Sequence, residues 1–192
     1  MGNFVYWMNV SLDLRIEQAP GENGGGDWQL IDEELHREFN DVARSLAVMV
    51  EGRVVYEAME SFWPAARSDA SLPDFLREFG EIWTAAPKVL VSRSRTSADH
   101  NTRIFGGETA LDQLAALREE VAGDIGVGGA TVATQMLNAG LIDELLLFTH
   151  PSILGEGRPL FDGGQKLLGL ELLEHKAFSN GVLKQRYALS HN

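Results

Sequence analysis

The chain has 192 residues, 44% of them hydrophobic, a formal net charge of −12 and no cysteine. That length suits a single domain spanning 1–192 with a sizeable core, and the missing thiols exclude disulfides, thiolate metal sites and a cysteine nucleophile. The acidic balance argues against nucleic acid as a partner, because neutralising phosphates takes clustered Lys and Arg.

No apolar run approaches the roughly 18 residues of a membrane helix. Polar Ser11, Asp13 and Arg15 follow the first apolar stretch with no basic n-region before it, so the start reads as a strand and the protein as cytoplasmic. Asn3 to Leu12 is aromatic and β-branched, which predicts a buried strand. Gln18 to Asp27 holds Pro20 and four glycines and reads as a mobile loop. Leu35, Phe39, Val42 and Leu46 then fall on one helical face, behind acidic Asp32, Glu33 and Glu34. Leu46 to Val50 is a second strand, Val54 to Met59 a short helix, Pro64 to Pro73 a loop and Asp74 to Ala86 a helix. Lys88 to Ser92 and Ile104-Phe105 are further strands, and Leu111, Leu114, Leu117 and Val121 mark the next helix. Asp124 to Val127 is a strand and Gly128-Gly129 a turn. Ala130 to Asn138 is a helix stopped by Gly140. Leu145 to Thr149 is a strand with a loop from Pro151 to Gly164 behind it, and Asn180-Gly181 joins two last strands as a hairpin. Strands alternating with helices, closed by a hairpin, predict an α/β protein with a mixed, mostly parallel sheet flanked by helices on both faces.

Three strand ends carry polar chemistry. In Asp124 to Leu137 (DIGVGGATVATQML) a strand runs through paired glycines straight into a helix, where bare backbone and free N–H groups suit a phosphate. The third glycine of a G-x-G-x-x-G fingerprint is absent, Thr131 standing there, so an ordinary tight turn fits the same residues. Gly52-Arg53 repeats the pattern, with Arg53 either forked onto a phosphate or a plain surface arginine at a helix start. Ser92, Arg93 and Ser94 follow a third strand at the edge where open α/β sheets bind ligands, or form a solvated loop. Exposed charges are screened beyond about 8–10 Å, so the net charge does not forbid a local anion site.

The run Ser11-Leu12-Asp13, Asp27-Trp28, Gly52-Arg53-x-x-Tyr56-Glu57, Phe62-Trp63-Pro64, Val89-Leu-Val-Ser92-Arg93 and Gly128-Gly129-Ala130 continues in the same order to the chain's end. It adds Gly140-Leu141-Ile142-Asp143-Glu144-Leu145, Pro151, Leu154-Gly155-x-Gly157 and Pro159-Leu160-Phe161. Together these resemble the bacterial dihydrofolate reductase-like family, which shares its fold with the riboflavin-biosynthesis reductase C-terminal domain. The resemblance implies a dihydrofolate-reductase-like fold, an NADPH-dependent reductase and a homodimer. It places Gly128, Gly129, Ala130 and Thr131 at the pyrophosphate, Gly52 and Arg53 at a second phosphate turn, and Ser92 and Arg93 at the adenosine 2′-phosphate. Glu156-Gly157 falls in the loop that shapes the substrate side. Two departures stand out: Leu14 where the family often has glycine, and Val55 where it often has threonine.

Reducing a C=N bond takes hydride on carbon and a proton on nitrogen. The resemblance points to an acid early in the first helix, hence Asp32, which equally fits a helix cap; Asp13, at the first strand's end, is the other candidate acid or a turn aspartate. The four tryptophans read as core aromatics, with Trp28 able to stack a flat heterocycle, and His36 reads as a surface histidine. The five histidines lack metal spacing, so no metal is expected. The expected function is hydride transfer to a pterin, pyrimidine or flavin precursor. The alternative is a nicotinamide-binding module without efficient turnover, acting as sensor or interaction protein.

Overall fold

The computed structural model describes residues 1–18, 27–163 and 167–190. Residues 19–26, most of the glycine-rich loop expected from sequence, and residue 164, the end of the loop expected after Thr149, lie outside the described residues.

In chain order the elements are β1 (Gly2–Ser11), β2 (Arg15–Glu17), α1 (Glu33–Ser45), β3 (Val48–Gly52), α2 (Arg53–Ala66), α3 (Asp74–Ala85), β4 (Lys88–Val91) and β5 (Thr102–Phe105). They continue as α4 (Ala110–Glu120), β6 (Gly123–Gly128), α5 (Ala130–Asn138), β7 (Glu144–His150), β8 (Arg158–Pro159), β9 (Gly169–Ala177) and β10 (Leu183–Ser190). Eight strands form one sheet in the order β5-β4-β3-β6-β1-β7-β10-β9. Every pairing from β5 to β7 is parallel, and the closing β9-β10 hairpin is antiparallel to itself and to β7. The mixed, mostly parallel sheet with its terminal hairpin is the architecture the alternating pattern predicts.

Strand periodicity divides the core between two faces. Phe4, Tyr6, Val50, Ile125 and Val127 pack with Leu114, Leu117, Val132 and Met136 of α4 and α5. Val5, Met49 and Leu90 face the other way, onto Leu35 and Phe39 of α1 and Phe79 and Trp83 of α3. β1 is the central strand, buried between β6 and β7, which is why its sequence is apolar on both faces.

Two segments read as loops carry more structure. β2 and β8 pair antiparallel as a small second sheet; runs of three and two residues are too short to show a period in sequence. Helix α2 extends well past Met59 and through Pro64, so the loop expected from Pro64 begins later. Pro64 sits in the final turn, where its missing N–H costs only one intrahelical bond, and Trp63 beside it packs on Phe79 of α3 with ring centroids 4.5 Å apart.

Leu14 occupies the turn between β1 and β2 with φ +57°, its N–H bonded to the Ser11 carbonyl. That left-handed conformation costs a side chain about 1–2 kcal/mol and costs glycine nothing. The departure from glycine at this position therefore changes the residue and keeps the backbone. Leu14→Gly should raise unfolding free energy by up to about 1 kcal/mol, less what glycine adds to unfolded-chain entropy, measured by urea denaturation; a loss of stability would show that the exposed leucine's contacts outweigh the strain.

Candidate functional site

The parallel strands all end on one edge of the sheet, and register fixes what lies there. Glu51 pairs with Gly128, Gly52 with Val91 and Val91 with Phe105, so the Gly128-Gly129 turn, the Gly52-Arg53 turn and the Ser92-Arg93 segment stand side by side in the order β6, β3, β4. Gly129 has φ +106°, and a Cβ on it would come within 3.4 Å of Val55 Cγ2 and 3.6 Å of the Gly52 nitrogen. The two turns are thus nested against each other, with Val55 filling the space beneath.

Each turn opens a helix with no side-chain cap, and neither α2 nor α5 carries an acid in its first turn. By contrast, α1 has two there, and α3 and α4 have one each. In a chain of net charge −12, this leaves two neighbouring positive helix ends with free N–H groups, a site for an anion.

The side chains around these turns already have partners. Arg53 is half exposed and bonds Glu57 at 2.8 Å, one helical turn on. Ala130 is buried, and the Thr131 hydroxyl donates to Asp162 Oδ2 at 2.9 Å and accepts from Arg158 at 2.6 Å. The Ser92 hydroxyl is buried and accepts from the N–H groups of Ser94 and Arg95, shaping its own loop. Arg93 is exposed and has no ion-pair partner among the described residues.

Beside the turns, under α1 and α2, lies a cleft of ≈ 320 Å³ with Trp7, Asn9, Phe39, Met49, Glu51 and Met59 in its wall. Its floor is made by β6, where Gly126 and Gly128 fall on the cleft face between Trp7 of β1 and Met49 and Glu51 of β3. The missing side chain at Gly128 leaves space on this face, whereas Leu46 fills the place of one at Gly126, where a Cβ would come within 2.5 Å of Leu46 Cδ1. Gly126 lies two residues before the Gly128-Gly129 turn and lines the cleft.

The candidate acids sit elsewhere. Asp32 is exposed and is the N-cap of α1, Oδ1 accepting from Leu35 N–H at 2.9 Å, and it is not in the cleft wall. Asp13 accepts from the Ser11 hydroxyl at 2.6 Å and from the N–H groups of Leu154 and Gly155. Those donors, the hydroxyl first, hold its carboxyl down at about 2, so at neutral pH it fastens the loop before β8 and has no proton to give. His36 is buried, not at the surface, within 5.3 to 5.9 Å of the rings of Phe39, Trp63, Phe75 and Phe79, and lines the cleft. Trp28 is buried against His150 and is not in the cleft wall.

Glu51 is the titratable cleft residue that sequence reasoning passed over. Only 5% exposed, it takes one bond, from Trp83 Nε1 to Oε1 at 2.9 Å, while Oε2 has no partner. Burial pushes its carboxyl up to about 7, against the opposing effects of the Trp83 bond and Lys88. The available signal was a carboxylate on the same strand face as apolar Met49, where period two puts core.

Comparison with known proteins agrees with the fold. Residues 4–184 match the RibD C-terminal domain family. The uncharacterized protein YyaP of Bacillus subtilis (strain 168) is 31% identical over 179 residues, covering 93% of this chain and 90% of its own. A putative riboflavin biosynthesis protein from Shewanella sp. PV-4 superposes with TM-score 0.72 at 20% identity over 100% of both chains. Dihydrofolate reductase from Enterococcus faecalis, complexed with NADP(H) and RAB-propyl, superposes with TM-score 0.63 at 12% identity, over 98% of this chain and 97% of that one; these two likenesses are of fold.

His150 ties the cleft to the chain around it. Fully buried, it accepts from Leu30 N–H at Nδ1 (3.0 Å), which leaves Nε2 to donate to Asn9 Oδ1, also at 3.0 Å. Burial lowers its pKa to about 4. The folded value lies below the unfolded one, so its contribution to stability is full above pH 6.5 and is lost as pH falls toward 4. NMR should show a neutral ring protonated at Nε2 throughout pH 5–8; a midpoint in that range would mean the Leu30 bond is not kept.

Proposed function

The chain belongs to the RibD C-terminal domain family, and on that premise we propose that it is an NADPH-dependent reductase of a small flat heterocycle, a pterin, pyrimidine or flavin precursor. The observation that carries this reading is the pair of uncapped, acid-free helix ends at Gly52 and Gly129, set beside a mostly apolar cleft. A pyrophosphate fits that pair: Gly129 turns at φ +106°, a conformation side chains rarely adopt, and leaves bare backbone there, and the helix-start N–H groups are the right donors. From there Gly128 would pass one end of a dinucleotide into the cleft, and Ser92 and Arg93 would meet the other.

Bound in this way, the cofactor would supply hydride. The chain's own part is to hold the phosphates on backbone N–H groups, to meet the 2′-phosphate with exposed Arg93, and to receive a flat ring against Trp7, Phe39 and Met49. Arg53 joins the phosphate contacts by leaving Glu57, an exposed pair of small net worth. Single-turnover hydride transfer from NADPH to dihydropterin and aminopyrimidine acceptors tests the enzyme; binding without transfer would leave a nicotinamide-binding module instead.

Calorimetry should give tighter binding of NADPH than of NADH, and Arg93→Ala should weaken NADPH by about tenfold or more with little effect on NADH. Equal affinities in the unaltered protein would remove the 2′-phosphate from this edge.

The homodimer reading rests on β9. It is the last strand of the sheet and is exposed along its length, presenting Leu170, Leu172 and Leu173 at 47%, 50% and 50% exposure. A long apolar edge strand invites pairing with a second copy across a two-fold axis. Light scattering should return the dimer mass, and Leu172→Lys should shift it toward monomer; a monomer mass at every concentration would overturn the reading.

A further inference from the structure

We propose that Glu51 is the acid that delivers the proton in this cleft, its Oε2 hydroxyl serving the nitrogen or oxygen of a substrate C=N or C=O bond; the proposal rests on the reductase reading above.

Position comes first. Glu51 ends the cleft face of β3, and its neighbour across the ladder is Gly128 on one side and Leu90 on the other. Gly128 has no side chain to cover it, and Glu51 lines the cleft next to the turn that receives the phosphates. Oε1 is held by Trp83, and Oε2 is buried without a partner. An unpaired buried carboxylate oxygen is costly, whereas a neutral carboxyl with its hydrogen on Oε2 is a donor lacking only an acceptor. A substrate acceptor atom would supply it.

Burial favours this state, and the charges around Glu51 do not overturn it. Lys88 of β4 is the facing cation, but its ammonium donates to the Trp83 and Ala86 carbonyls at the end of α3 and lies over the Trp83 ring, 4.6 Å from its centre. Lys88 therefore makes no direct bond to the carboxyl. His36 of α1 shares the cleft and is kept toward neutrality by burial. Tyr56 of α2 and His100 pack on Trp83, at 5.7 and 5.9 Å. A carboxyl raised to about 7 is matched to proton transfer near neutral pH.

The step balances as a two-electron reduction. With a reduced nicotinamide as the two-electron donor, the substrate carbon would gain hydride while the Glu51 O–H bond breaks and an N–H or O–H bond forms on the substrate. Water would then return a proton to the carboxylate.

The first test needs neither cofactor nor substrate. Dicyclohexylcarbodiimide reacts with protonated carboxyls reached through apolar surroundings. In the unliganded protein at pH 6.5, peptide mass spectrometry should find its adduct on Glu51, declining as pH rises through about 7 to 8 and absent in Glu51→Gln. No adduct on Glu51, or one independent of pH, would overturn the proposal. In single turnover with the dihydropterin and aminopyrimidine acceptors, Glu51→Gln should slow hydride transfer by about 100-fold, remove its decline above pH 7 and leave NADPH affinity unchanged. A wild-type rate in Glu51→Gln, or a loss confined to Asp32→Asn, would also overturn it. NADPH calorimetry keeps the readings separate: no binding heat would sink the reductase reading, while the adduct still reports on Glu51.

Discussion

What the rest of the site depends on is the absence of side chains along one face and the end of β6. Gly128 leaves the floor of the cleft clear, Gly126 makes room for Leu46 in its wall, and Gly129 lets the chain turn directly into α5 against the Gly52 turn. One strand thereby sets both the cleft and the adjoining helix-start N–H groups. Its neighbours supply the walls: Trp7 from β1, Met49 and Glu51 from β3, Phe39 from the helix above. A side chain at Gly126 would displace Leu46, so the cleft and the packing at the end of α1 are coupled through a missing Cβ.

The electrostatics follow a similar economy. A chain of net charge −12 is repulsive to anions at long range, but screening limits that to about a Debye length. Acids sit at the starts of α1, α3 and α4, where they stabilise helix ends. The starts of α2 and α5 forgo that stabilisation. Asp162 is bonded to Thr131 in the first turn of α5 and paired with Arg158 at 3.0 Å, and the arginine offsets it.

Much of this was legible in the sequence. Strand and helix order, the Gly140 stop and the Asn180-Gly181 hairpin all follow from period and turn chemistry. The three strand ends were recognisable because each places glycine, arginine or serine directly after an apolar run. What was hidden depends on tertiary neighbours. His36 reads as a surface residue until α3 brings Phe75 and Phe79 onto it. The helical stretch around Pro64 needs Trp63 docked on Phe79, and β2 has no identity without β8. Glu51 was invisible as chemistry because nothing near it in sequence says that its ladder neighbour's glycine opens a cleft, or that Trp83 sits 2.9 Å away.

The interposed tryptophan decides what kind of acid Glu51 is. Were Lys88 to reach it directly, the pair would be ionised and the carboxyl held below its ordinary range. Instead the ammonium is drawn to the carbonyl end of α3, where the helix dipole favours it, and the indole ring separates the two charges while donating one neutral bond to Oε1. The remaining attraction tempers the cost of burial without cancelling it, which is why the carboxyl is raised only to about 7. Asp13 shows the opposite outcome in the same chain: partly exposed and served by a hydroxyl and backbone N–H groups, it stays ionised. The two carboxyls differ in whether donors satisfy both oxygens, and that difference assigns one to holding a loop and leaves the other with a proton to give.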